Sequence, residues 1–172
     1  MEKYSKWLSF AINPIQKSLC KWRTSKMGKP TVVVYTDGSC DAKGHGGYGV
    51  SLSCGEESIY LSGSAENTSS QKMELTAIIR ALEMLKGNCN VVIFSDSQYA
   101  INCVNIWIDK WRKHGWKKND GKPVANLELI QRLYELKSKF RIRANWVKGH
   151  AGNVGNEIVD GLARAGSGID SK

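Results

Sequence analysis

Residues 31–40 read T-V-V-V-Y-T-D-G-S-C, and their first six decide how the rest of the chain is organised. All of 31–36 are β-branched or aromatic, the types that fit a pleated, half-buried surface. A short continuous run of this kind reads as a buried strand. It stops at Asp37-Gly38, a pair with turn chemistry. Beyond it, 48–54 and 57–63 alternate and read as two further strands of an antiparallel meander. Over 69–86, Met73, Ala77, Ile78, Ala81, Leu82 and Leu85 recur at helical spacing and form one apolar face. Residues 90–95 (N-V-V-I-F-S) give a fourth strand and 97–105 a short helix. A longer helix over 126–139 turns Leu127, Ile130, Leu133, Tyr134 and Leu136 inward. A last strand covers 140–147 and a final helix 156–165. The order β-β-β-α-β-α-α-β-α is that of an α/β sheet with helices packed on it. There is no internal repeat.

At 172 residues and 41% apolar, the chain has the material for one domain with its own core plus an extension. A formal net charge of +9 points to a polyanionic partner, either nucleic acid or an anionic membrane surface. The five cysteines contain no C-x-x-C pair, which removes the usual zinc spacings. Their odd number and the lack of a secretory signal lead to an expectation of reduced thiols in a cytoplasmic setting. No apolar run approaches the roughly 20 residues that span a bilayer.

Residues 1–30 differ from the rest, with seven cations against one acid, a net +6. Trp7, Leu8, Phe10, Ile12, Ile15, Leu19 and Trp22 are interleaved with that charge, and Pro14 prevents one long helix. Three readings stand open: an amphipathic segment that meets a membrane surface, a partner or nucleic acid; an organelle-targeting segment; or a poorly ordered tail. Residues 24–30 read as a linker, with Gly28 and Pro30 as punctuation. The expected division is a basic extension and linker over 1–30, a folded domain over 31–168 and a short tail over 169–172. No interface signature is visible, so a monomer is expected.

Four acids sit where structure explains acids poorly. Asp37 follows the first strand, Glu74 lies in the first turns of the long helix, Asp96 follows the fourth strand and Asp160 lies in the last helix. Each has a bland explanation by itself: a turn at Asp37, a helix cap at Asp96, a dipole partner at Glu74, a solvent-facing position at Asp160. Together they fall at strand ends, where α/β sheets bind ligands. Gathered carboxylates repel one another unless cations lie among them, and hard oxygen donors suit magnesium or manganese.

The segments around these acids resemble the type 1 ribonuclease H family. The resemblance rests on Y-T-D-G-S-C (35–40), G-G-Y-G (46–49), K-M-E-L (72–75), S-D-S-Q-Y (95–99), V-K-G-H-A-G (147–152) and N-E-I-V-D (156–160), and covers about Val32 to Ala165. Six ordered motifs carry far more than a lone D-G-S. The resemblance implies a ribonuclease H-like fold: a five-stranded mixed sheet, three strands antiparallel and then two parallel, with helices on both faces. It implies an endoribonuclease that hydrolyses the RNA strand of RNA–DNA hybrids by a two-metal-ion mechanism, leaving 5′-phosphate and 3′-hydroxyl ends. The metal site carries over to Asp37, Glu74, Asp96 and Asp160. Two Mg2+ ions are expected there, with Mn2+ as a substitute and Asp37 as the bridging ligand. His150 carries over as the auxiliary residue of the G-H-A-G loop, and Glu157 as a weaker helper. His45 and His114 receive no role.

Residues 107–122 hold six cations and two acids, a net +4, with Trp107, Trp111 and Trp116 among them. Cations displace counterions from phosphates and aromatics stack on bases. The stretch resembles the basic handle of some family members, which implies that Lys110, Arg112, Lys113, Lys117 and Lys118 grip the DNA strand. Trp107 and Trp111, four apart, are also placed to pack on one another, and Trp116 is expected to face the substrate. The 2′-OH marks RNA, and Gly38, Ser39 and Cys40, with Glu74 and Gln98, are expected to sense it. A phosphate pocket is expected near Thr68, Ser69, Ser70 and Gln71, where S-S-Q replaces the family's usual T-N-N or T-N-Q. The loop over 41–47 also looks shorter than in some relatives and lacks their asparagine.

Two other readings compete. One is a non-catalytic nucleic-acid-binding module of the same fold, opposed by the full set of acids and His150. The other is a different nuclease of the wider superfamily, opposed by the basic tryptophan stretch and the G-H-A-G loop.

Overall fold

The computed structural model of the protein describes residues 29–85 and 89–168. The extension expected over 1–30, apart from Lys29 and Pro30, and the tail expected over 169–172 lie outside the described residues.

The elements are β1 (Thr31–Cys40), β2 (Gly46–Cys54), β3 (Glu57–Ala65), α1 (Ser70–Met84), β4 (Asn90–Ser95), α2 (Gln98–Asn102), α3 (Ile108–Lys113), α4 (Leu127–Lys137), β5 (Arg141–Trp146) and α5 (Val154–Ser167), with a π-helical turn at Cys103–Trp107 joining α2 to α3. The strands lie in the order β3-β2-β1-β4-β5. β1 and β2 pair antiparallel, as do β2 and β3, whereas β1–β4 and β4–β5 are parallel. The expected five-stranded mixed sheet is therefore present.

Two-residue alternation sorts the sheet into faces. Val32, Val34, Val50, Leu52 and Ile93 are fully buried on one side with Leu75, Ile78 and Leu82 of α1 and Ile130 and Leu133 of α4. Each such aliphatic side chain contributes about 1.5–3 kcal/mol on burial. α5 covers the other side, where a Cβ on Gly47 or Gly49 would strike its main chain at 2.1 Å. Ser69, Ser97 and Asn153 cap α1, α2 and α5 by accepting from main-chain N–H groups of the first turn.

Three local expectations change. β1 does not stop at residue 36. It runs to Cys40, so Asp37 sits in the ladder opposite Gly49 instead of in a turn. The reversal falls at Asp41, whose carboxylate accepts from the main-chain nitrogens of Lys43 and His45 and so supplies the turn chemistry. The helix expected over 97–105 also continues, through the π turn and on to Lys113. At its junction Asn105 Nδ2 donates to Ala144 O of β5 at 2.9 Å. Among the described residues, Cys40, Cys54, Cys89 and Cys103 are free thiols, and no helix is long and apolar enough to cross a membrane.

Candidate active site

Three acids from three elements converge at one end of the sheet. Asp37 comes from β1, Glu74 from α1 and Asp96 from the residue after β4, and each offers an oxygen within 4.8 Å of the other two. The approach depends on Gly38. A Cβ there would lie 2.3 Å from Glu74 N, so α1 sits backbone to backbone on β1 and delivers Glu74 beside Asp37. Gly38 N donates to Asp37 Oδ1 at 2.7 Å.

Burial and mutual repulsion disturb these groups. Burial first, then the charge of Asp96, raises Asp37 from the ordinary carboxylate range to about 6, while the Gly38 amide pulls the other way. Glu74 is pushed well above its usual value, chiefly by burial and then by Asp37 and Asp96. Glu74 Oε2 is buried with no hydrogen-bond partner among the described residues. A buried acceptor without a donor is costly, and a hard divalent cation would satisfy it. The donor set, three carboxylates of which Glu74 carries an orphaned oxygen, fits magnesium or manganese.

Asp160 stands at one remove. It lies on α5 outside the mutual set of three, though its charge helps raise Asp37. His150 has a left-handed φ of 50°, and its Nδ1 lies 3.9 Å from Asp160 Oδ2 with the ring 76% exposed. That separation is too long for a hydrogen bond and leaves the ring able to move. Glu157 Oε1 accepts from Gly152 N at 3.1 Å and so braces the loop that carries His150.

Residues that sequence reading passed over surround Asp96. Asn156 Nδ2 donates to Asp96 Oδ2, Trp146 Nε1 donates to Asp96 O at 2.9 Å, and a Cβ on Gly149 would fall 2.6 Å from Asp96 Oδ2. A signal for Asn156 did exist: it shares the buried face of α5 with Val159 and Ala163, a place where an asparagine needs a partner.

The expected substrate contacts are dispersed. Ser39 Oγ donates to Ser167 Oγ at 3.1 Å, and Cys40 Sγ lies against Thr68 O at 3.6 Å. Ser69 Oγ is occupied as the cap of α1, whereas Ser70, Gln71 and Gln98 are exposed. In the basic stretch, Lys110, Trp111, His114, Lys117, Lys118 and Asn119 line an open cleft of about 400 Å³. Lys113 is exposed beside it, and Arg112 lies 5.0 Å over the Tyr134 ring. Trp107 and Trp111 do pack together, with centroids 5.6 Å apart. Trp116, expected to face the substrate, is half-buried and packs against the core, as Trp107 and Trp111 also do. Gly115 and Trp116 both take positive φ, the chain folds back, and the Trp116 ring meets Tyr134 edge-on at 5.8 Å against the core. Trp111 is the tryptophan that lines the cleft. His114, given no role from sequence, lines it too.

The RNase H family model matches residues 29–168. The chain belongs to the RNase H family. It is 45% identical over 138 residues to a ribonuclease H of Bradyrhizobium diazoefficiens, covering 80% of this chain and 90% of that one. It is 44% identical to the ribonuclease H of Rhizobium etli, covering 78% and 90%. Among solved structures, LC9-RNase H1, a type 1 RNase H with the type 2 active-site motif, superposes with a TM-score of 0.73 at 28% identity, covering 84% of this chain and 75% of that one. A foamy viral protease-reverse transcriptase in complex with dsDNA superposes with a TM-score of 0.69 at 25% identity, covering 80% and 94%. The ribonuclease H resemblance drawn from the six motifs is borne out at the level of family and fold, and the motifs lie inside the matched span.

Proposed function

We propose that the chain is an endoribonuclease that hydrolyses the RNA strand of RNA–DNA hybrids with two magnesium ions, leaving 5′-phosphate and 3′-hydroxyl ends. The observation that carries this reading is the Asp37–Glu74–Asp96 cluster, with its oxygens within 4.8 Å of one another and Glu74 Oε2 unpartnered. Magnesium, or manganese in its place, supplies charge neutralisation at the scissile phosphate and activation of the attacking water when bound. Asp37, Glu74 and Asp96 hold the ions, and Asp160 adds its negative field from α5. His150, on its exposed loop beside Asp160, moves a proton between the reacting phosphate and solvent. In this reading Gly38, Ser39 and Cys40, with Glu74 and Gln98, sense the 2′-OH of the RNA strand. Lys110, Lys117, Lys118 and Trp111 hold the DNA strand in the basic cleft. The solved relative's complex with dsDNA supports a duplex as ligand.

The test is cleavage of an end-labelled RNA–DNA hybrid by the wild type and Asp96→Asn, with and without magnesium, beside a duplex-DNA control. RNA cutting that needs the metal, vanishes in the variant and spares duplex DNA is expected. Tight hybrid binding with no cutting in magnesium or manganese would replace this reading with that of a binding module.

A further inference from the structure

One face of the sheet is only partly covered. α5 packs on β1, β2 and β3, and β4 and β5 lie beyond its edge. The register identifies what stays open. Gly47 and Gly49 lie under α5, and Asp37 and Ser39 pair with them, so Val33 and Tyr35 of β1 share that face by alternation. Their β4 partners there are Val92 and Phe94. Tyr35 stacks on Phe94 at 5.0 Å. Across β2, Tyr35 pairs with Ser51, and Ser51 with Tyr60, which is 51% exposed. The result is a floor of Phe94, Tyr35 and Tyr60 in one row with Val92 and Val33 beside it. At its upper rim Gly155 sits against the Tyr35 ring, and Ile158, one turn further along α5, is 38% exposed. Arg143, exposed on β5, bounds the floor on its far side.

We propose that this floor is the docking surface for residues 1–28 of the same chain. The described chain starts at the floor's lower edge: Pro30 O accepts from Asn90 N at 2.9 Å, and Lys29 O accepts from Asn90 Nδ2 at 3.4 Å. The described chain therefore begins, at Lys29, beside the first residue of β4, two positions from Val92. The segment carries Trp7, Leu8, Phe10, Ile12, Ile15, Leu19 and Trp22, apolar surface that water disfavours. Its length is ample, because four strands span about 15–20 Å and a dozen helical residues cover about 18 Å. Apolar contact carries the docking. The seven cations of residues 1–30 need only solvent on the outer side, and Arg143 keeps them from the β5 end. The inference does not depend on the catalytic reading.

The test uses the full chain and a variant altered only in the segment, Trp7→Ser/Phe10→Ser/Trp22→Ser, so that the folded domain is untouched. Limited trypsin digestion reads access to Lys17, Lys21, Arg23 and Lys26, and methyl NMR reads Val33, Val92 and Ile158. Docking predicts cutting at least about tenfold slower in the wild type than in the variant, because proteolysis tracks the open population. It also predicts methyl shifts at Val33, Val92 and Ile158 in the variant, with Val50 and Leu82 unmoved. Equal cutting and unmoved methyl signals overturn it. Protection that rises with protein concentration also overturns it and makes a second copy the occupant. Protection that needs added hybrid or anionic vesicles overturns it in favour of that ligand.

Discussion

Asn156 Nδ2 donates a hydrogen bond to Asp96 Oδ2 across 3.1 Å, tying the first turn of α5 to the end of β4. Asn156 is 1% exposed, and its own Oδ1 has no partner among the described residues. Asn156→Ala therefore removes the donor that orients Asp96 together with an acceptor that was already unsatisfied. Groups that orient metal ligands typically contribute 10–100-fold in metal affinity or activity. The variant is expected to lose about that much in magnesium affinity, read by calorimetric titration, with a stability loss of only about 1 kcal/mol. An unchanged magnesium affinity would remove the orienting role.

Gly38 and Gly161 give opposite expectations for the same substitution. In Gly38→Ala the new methyl meets Glu74 N at 2.3 Å, and main chain cannot step aside as a side chain can. A loss at or above the usual overpacking cost of about 1–3 kcal/mol is expected in urea denaturation, together with loss of cleavage. Gly161, in the interior of α5, has nothing within 4 Å. Gly161→Ala should stabilise by about 0.5–1 kcal/mol through helix propensity.

The raised carboxylates make metal-free stability depend on pH in a defined direction. Folded Asp37 keeps its proton up to about 6, against 3.8 for the ordinary value. Between those values the folded state binds more protons than the unfolded one, so stability falls as pH rises through the window. Asp37 contributes at most about 3 kcal/mol to that fall, and Glu74 acts in the same direction. In EDTA the melting temperature should decline from about pH 4 to pH 7. Magnesium should raise it more at pH 8 than at pH 5, because its ligands must be deprotonated. Asp37→Asn should flatten the EDTA profile and abolish cleavage. A melting temperature that climbs across this window would contradict the assignment.

His150 is 76% exposed and held by no short bond among the described residues, so His150→Ala should leave the melting temperature within about 1 °C of wild type. A proton-transfer role predicts a fall in kcat on the order of 10²-fold with little change in KM. A loss confined to KM would place the ring in binding instead.

In the basic cleft, Lys117→Ala and Lys118→Ala should each weaken hybrid binding and lower the slope of log affinity against log salt by about 1, with kcat retained. Trp111→Ala should cost about 1–3 kcal/mol of affinity if the ring stacks on a base or sugar. Trp116→Ala should instead lower fold stability and leave the salt slope alone, since its ring packs on Tyr134.

What the sequence determined by itself was whatever depends on near neighbours in the chain. The β-branched run at the start of β1, the apolar spacing of α1 and the alternation of β5 each specify an element and its buried face, because side-chain periodicity is local. The six motifs that mark the family were legible for the same reason, whereas the parallel pairing of β1 with β4 and of β4 with β5 was expected only through the resemblance those motifs carry. The tertiary structure decided everything that needed two distant segments at once. Asp37 joins the ladder because Gly49 lies opposite it, and the turn moves to Asp41. Glu74 reaches Asp37 because Gly38 offers no side chain to the helix above it, whereas Asp160 stays at one remove on α5. The sequence singled out Trp116 over Trp111 as the ring to face substrate; both are half-buried against the core, and only the folded chain sets Trp116 edge-on to Tyr134 of α4 and Trp111 in the lining of the cleft. Burial is a property of the partner as much as of the residue, and the partner is named only when the chain has folded.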